Sequence, residues 1–133
     1  MTRDLVHFCP HCWREHPAAS TTCPSCGAQL AKRLPYREAL ELALACPEAT
    51  TARRAAYLLG EIRDSASIPA LTRAVETGDP YVAAEAIQSL AKIGGPEAMR
   101  VVVAARDHRY VTVRASARNA YQANGPNRST KGA

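Results

Sequence analysis

From Pro35 onward the pattern of apolar and polar positions repeats after 31 residues. Residues 52–62 (ARRAAYLLGEI) and 83–93 (AAEAIQSLAKI) superpose Ala52 on Ala83, Ala55 on Ala86, Leu59 on Leu90 and Ile62 on Ile93. One further step brings residues 114–121 into line, with Ala117 and Tyr121 in register. Thr51, Val82 and Val113 lead the three segments. Each segment reads as a helix. The intervening stretches 36–45, 67–76 and 97–106 read as partner helices, with Pro35, Pro69 and Pro96 at or near their starts, where a missing N–H costs least. Asp79-Pro80 and Gly94-Gly95-Pro96 punctuate the series. The expectation is six helices in three antiparallel pairs, each too thin to bury its apolar face alone, so that stacking supplies the core.

Composition supports packed helices. Apolar residues make up 47% of the chain, but only 5% of positions are aromatic and much of the rest is alanine. Alanine buries little area, so such helices must approach closely, whereas the strands of a β-sandwich would want Val, Ile, Thr and aromatics. No apolar run approaches the ~20 residues of a membrane span, and residues 1–9 lack the apolar stretch of a secretory signal. The chain is therefore expected to be soluble and cytoplasmic, with no membrane partner. In that setting five cysteines serve as metal ligands or free thiols, not disulfides.

The formal charge of +5 is uneven. Residues 78–133 hold eight Lys/Arg against four Asp/Glu, while residues 35–77 hold five against six. A basic C-terminal end permits an anionic partner without demanding one.

The densest chemistry lies ahead of the repeat. Cys9-Pro-His-Cys12 and Cys23-Pro-Ser-Cys26 are two C-x-x-C pairs separated by ten residues. A two-residue gap lets a tight turn aim both thiolates at one tetrahedral ion, and two such turns fill the coordination sphere. Gly27 after the second pair allows a positive φ; Trp13 holds the corresponding place after the first. The expected ion is a single structural zinc per chain on Cys9, Cys12, Cys23 and Cys26. Redox-active thiol pairs and a rubredoxin-like iron site are the competing readings. A redox motif would open a helix in a βαβ context, which is missing, and ten residues is short for the iron arrangement. His7, His11 and His16 surround a site already full. Trp13 is expected to cover the metal or to dock it on the helices.

These residues carry two resemblances. Cys-Pro-x-Cys followed by Cys-Pro-x-Cys-Gly resembles the zinc-ribbon or zinc-knuckle family over roughly residues 5–30. The segments YLLGEIRDSASIPAL, DPYVAAEAIQSLAKIGGPEA and VTVRASARNAY resemble HEAT-like repeats of the bilin-lyase-associated type, over about residues 35–122. That family places Asp-x-x-Val-Arg, spaced alanines and Leu-Gly on the second helix of each pair. Here the valine-arginine pair survives only as Val113-Arg114, with Asp79 or Asp107 as the expected partner of the arginine. The implied fold is mostly α: a short α-solenoid of about three HEAT-like pairs (residues 35–123), preceded by a small four-cysteine zinc ribbon (1–34) and followed by a disordered tail (124–133).

No Gly-rich phosphate loop or serine elbow is present. His108 is expected to be a solvated turn residue, Cys46 a small buried apolar one, and Glu38 with Glu41 a solvated face. The chain is accordingly expected not to be an enzyme. The leading expectation is a non-enzymatic, zinc-binding adaptor or scaffold that holds a partner protein or peptide on the concave face of the solenoid. Tyr57, Gln88 and Asn119, one period apart, would form a ladder there, with Arg53 and Lys92 nearby. The alternative is a nucleic-acid-binding accessory protein, using the zinc knuckle and Arg100, Arg106, Arg109, Arg114, Arg118, Arg128 and Lys131. A third reading is an auxiliary subunit of a bilin or cofactor lyase. The sequence leaves the oligomeric state open.

Overall fold

The structure, a computed structural model, describes residues 6–17, 19–30 and 34–124. Six α-helices occupy the repeat: α1 (Tyr36–Ala43), α2 (Ala49–Ile62), α3 (Ile68–Thr77), α4 (Pro80–Ile93), α5 (Gly95–Ala104) and α6 (Val111–Asn124). Single 3-10 turns, Ser65–Ser67 and Ala105–Asp107, lead into α3 and out of α5. The tail expected from residue 124 lies, apart from that residue, outside the described residues. No helix among them is long and apolar enough to cross a membrane.

Local chemistry sets the helix ends. The carboxylates of Asp64 and Asp79 accept the backbone N–H of Ala66 and Tyr81, both at 2.9 Å, and so satisfy donors that a first turn leaves unpaired. Gly94 and Gly95 adopt φ of 73° and 87°, which lets α4 reverse almost directly into α5. Asp79 is thus committed to its cap. The Arg114 guanidinium instead donates to the backbone carbonyls of His108 (2.8 Å) and Arg109 (3.1 Å). It does tie helix to loop, through carbonyls and not through the aspartate expected.

The same loop corrects the expectation for His108. Its Nδ1 accepts from the Tyr110 N–H at 3.1 Å, which leaves Nε2 to carry the proton and donate to the Val75 carbonyl, also at 3.1 Å. The ring is a neutral peg joining the α5–α6 turn to α3. Glu38 and Glu41 likewise do more than face solvent. Arg37 pairs with Glu41 and reaches Glu38 (3.8 Å) and Asp64 (3.4 Å), and the Ser67 hydroxyl donates to Glu41 at 3.0 Å. This network fastens α1 to the start of α3.

α4 is the central element, in contact with α2, α3, α5 and α6. Around it Leu59, Leu71, Ile87, Leu90, Val102 and Val113 are fully buried, interleaved with alanines such as Ala56, Ala83, Ala86 and Ala117. Small residues let the helices come close enough for serines to bridge them. The buried Ser89 hydroxyl donates to the Ala56 carbonyl at 2.5 Å, and that of Ser116 to Ala84 at 2.7 Å. Each hydroxyl thereby escapes the cost of burial without a partner.

Ahead of the helices, β1 (Val6–Phe8) pairs antiparallel with β2 (Glu15–Pro17), and His7 stands opposite His16. An isolated bridge joins Thr22 to Gln29.

A candidate metal centre and the exposed helical face

Each C-x-x-C segment is the tip of a small hairpin. β1 and β2 flank the first; the Thr22–Gln29 bridge flanks the second. The two tips share one hydrogen-bond plan. The Trp13 N–H donates to the Cys9 carbonyl (2.7 Å) and the Cys9 N–H to Arg14 (3.0 Å). The Gly27 N–H donates to Cys23 (2.9 Å) and the Cys23 N–H to Ala28 (2.9 Å). The plan requires a left-handed residue after each second cysteine, and Trp13 takes φ 62° where Gly27 takes 76°. The tryptophan carries the strain a glycine avoids.

The four sulfurs converge. Every pair of Sγ atoms among Cys9, Cys12, Cys23 and Cys26 lies within 4.8 Å; Cys9 to Cys26 is 3.7 Å and Cys12 to Cys23 is 3.6 Å. Four thiolates at about 2.3 Å from a tetrahedral ion stand about 3.8 Å apart, so the donor set fits a closed metal site. Cys9 and Cys23 are buried, Cys12 partly so and Cys26 exposed. No histidine joins this cluster among the described residues. His16 is buried in the hairpin, where its Nδ1 donates to the Pro17 carbonyl at 2.9 Å.

The turns are electrostatically biased toward thiolate. The Cys26 and Ser25 amides lower the Cys23 thiol to about 6 against the opposing effect of burial. Burial raises Cys9, but the Cys12 and His11 amides outweigh it and the net direction is down. Cys26 receives an amide from Ala28, yet burial and its side-chain hydrogen bonds with Cys23, Cys9 and Cys12 push it up to about 12. Four thiolates without a cation repel one another, and a bound cation removes that penalty.

Trp13, His11 and Pro10 form one wall of a cleft of about 600 Å³ whose opposite wall includes Leu42, Cys46 and Val82. Trp13 therefore faces the helices. Cys46 is half-buried at the edge of the helical core.

Tyr57, Gln88 and Asn119 occupy equivalent places on α2, α4 and α6. Tyr57 is 41% exposed, with Lys92 Nζ 4.5 Å from its ring centroid. Lys92 also pairs with Glu61 at 2.7 Å, and Arg53 with Glu85 at 3.3 Å, so two cross-helix ion pairs flank the tyrosine. Gln88 is half-buried, its amide donating to the Ser116 carbonyl (3.1 Å) and hydroxyl (3.0 Å). Asn119 is exposed. The periodicity identified the row; the ion pairs, each joining residues about one period apart, were not read from it.

No curated protein matches the chain. Among solved structures, human deoxyhypusine hydroxylase in complex with glycerol is similar at 28% identity and a TM-score of 0.62. The match covers 66% of this chain and 31% of that one, so the chain spans about a third of the hydroxylase. That finding overturns the expectation that the chain is not an enzyme. A related helical stack is part of a hydroxylase, and the architecture gives no ground for excluding catalysis. HEAT repeats match residues 37–122, the span of all six helices but for the outermost residues, and the chain belongs to the HEAT-repeat family.

Proposed function

We propose that this chain is a zinc-stapled HEAT scaffold that binds a partner protein or peptide on the face shared by α2, α4 and α6, the concave side of the stack. The observation that carries the reading is Tyr57, a large ring left exposed on a braced surface. An aromatic held in place by its neighbours loses little conformational freedom on binding, which is the property of an interface anchor. Gln88 and Asn119 continue the row beside it, and Arg53 and Lys92 set its rim.

The four-cysteine site takes one zinc per chain in this reading, in a zinc ribbon over the N-terminal residues. A closed sulfur sphere leaves no position for water, so the ion acts as a staple. Reduced thiols fit a cytoplasmic setting.

The test is recovery of cross-linked partners from the native host, with the wild-type chain and Tyr57→Ala side by side. The substitution is expected to weaken capture of the specific partner by roughly 1–2 kcal/mol, about tenfold, with the helical circular dichroism unchanged. Unchanged capture would remove this face from consideration. Loss of the helical signal would show that Tyr57 supports the fold.

A further inference from the structure

The last helical pair departs from the repeat in a way that bears on binding. In α4, the Gln88 side chain and the Ala91 carbonyl bond to α6, with Ile87 beside them in the core. Ile87 is fully buried, Gln88 donates to Ser116, and the Ala91 carbonyl accepts the side-chain amide of Asn124 at 2.8 Å. One period later the corresponding positions of α6 are Arg118, Asn119 and Gln122, all exposed. A guanidinium stands where the inner repeat has a buried isoleucine. Among the described residues this face is exposed, and its chemistry is charged and polar where the inner repeat is apolar.

Positive charge is in excess on that end, where five arginines stand against Glu97 and Asp107. Arg100, Arg106, Arg109, Arg114 and Arg118 belong to the last pair, and among the described residues none forms an ion pair with a carboxylate. The ion pairs found involve Arg37, Arg53 and Lys92. Arg114 is committed to loop carbonyls, while Arg106 and Arg109 lie over Tyr121 and Tyr110, at 5.1 and 4.9 Å from the ring centroids. Arg118 and Arg106 share the rim of a shallow pocket of about 310 Å³ with Val103 and Asp107.

We propose that this end face, centred on Arg106 and Arg118, docks an acidic segment of another protein in which carboxylates are interspersed with apolar side chains. Guanidinium forks match carboxylates in geometry and charge. Val103, 43% exposed on the rim of the same pocket, offers an apolar contact beside them, and Val111 is 68% exposed at the start of α6. Single-stranded nucleic acid is the less suited anion. It is held by stacking bases on open aromatic faces, and the tyrosines of this end are half-buried and already covered by arginines. Asp107 also interrupts the run of cations that a phosphate backbone would follow. Asn119 ends the Tyr57 row beside this face, but Arg106 and Arg118 are not part of that row, so the arginine variants and Tyr57→Ala test the two surfaces separately.

The experiment is fluorescence anisotropy on the full chain at physiological salt. The probes are a labelled peptide of Glu and Asp with Leu or Phe at every fourth position, and a single-stranded DNA oligonucleotide of equal charge. The peptide is expected to bind more tightly than the DNA. Arg118→Glu and Arg106→Glu, both on exposed residues, should each weaken the peptide about tenfold or more. Arg54→Glu, the same charge change on an exposed position of α2, should leave it unaffected. Tighter binding of the DNA, no peptide binding, or an equal loss with Arg54→Glu would overturn the proposal.

Discussion

A missing methyl group at residue 60 lets α2 and α4 meet. A Cβ built there would lie 2.8 Å from the Ser89 Cα, a backbone atom that cannot swing aside. The same close approach brings the Ser89 hydroxyl to the Ala56 carbonyl. Gly60→Ala would raise helix propensity, but it would force the two helices apart over their most buried stretch. The net effect is expected to be a loss of about 1–3 kcal/mol, read as a lower denaturation midpoint; unchanged stability would show that the helices can part without cost. The sequence did contain a signal for this position, since Gly60 falls one period before Ala91, another small residue. The role of His108 was not legible. Both its partners, Val75 and the Tyr110 amide, are brought to it by the turn and by α3.

At the scale of elements, the helices were readable because spaced alanines and aliphatics fix a buried face, and because proline and glycine mark the turns. Their ends were less so. α1 stops at Ala43, and the segment after α5 tightens into a 3-10 turn, since backbone hydrogen bonding near a helix end depends on what the next turn needs. The C-x-x-C tips were readable for a stronger reason: a two-residue gap puts both thiols of a pair on one turn, although the meeting of the two pairs shows only in the structure. Their proton chemistry needed coordinates. Without metal the cluster holds protons at pH 7, Cys26 most firmly; with metal all four sulfurs must be thiolates. Adding zinc to metal-free protein at pH 7 should therefore release protons into a weakly buffered solution. Cys23, lowered to about 6, stays largely thiolate down to that value and protonates below it. Zinc affinity should thus fall as pH drops through 7 and fall more steeply below about 6, where Cys23 also takes up a proton, measured by competition with a chromophoric chelator. Affinity independent of pH would exclude thiolate ligation.

Across the whole molecule, the apolar core and the candidate metal site occupy different parts of the chain. The core cluster runs from Leu40 to Ala120 and includes none of the four clustered cysteines. The helical stack is therefore expected to hold without the ion, while the small hairpins, with three-residue strands and one isolated bridge, depend on it. The two parts can be followed separately, because the chain's single tryptophan, Trp13, sits directly after Cys12 and faces the cleft toward the helices. Removing metal with a strong chelator under reducing conditions should change Trp13 emission, since its left-handed backbone is held by the turn around Cys9. Helical circular dichroism should stay close to its starting value, and Cys23→Ser should behave like the chelated wild type. If the helical signal instead collapses with the tryptophan signal, the knuckle is part of the cooperative unit, closing the open end of the first helical pair as a terminal repeat must.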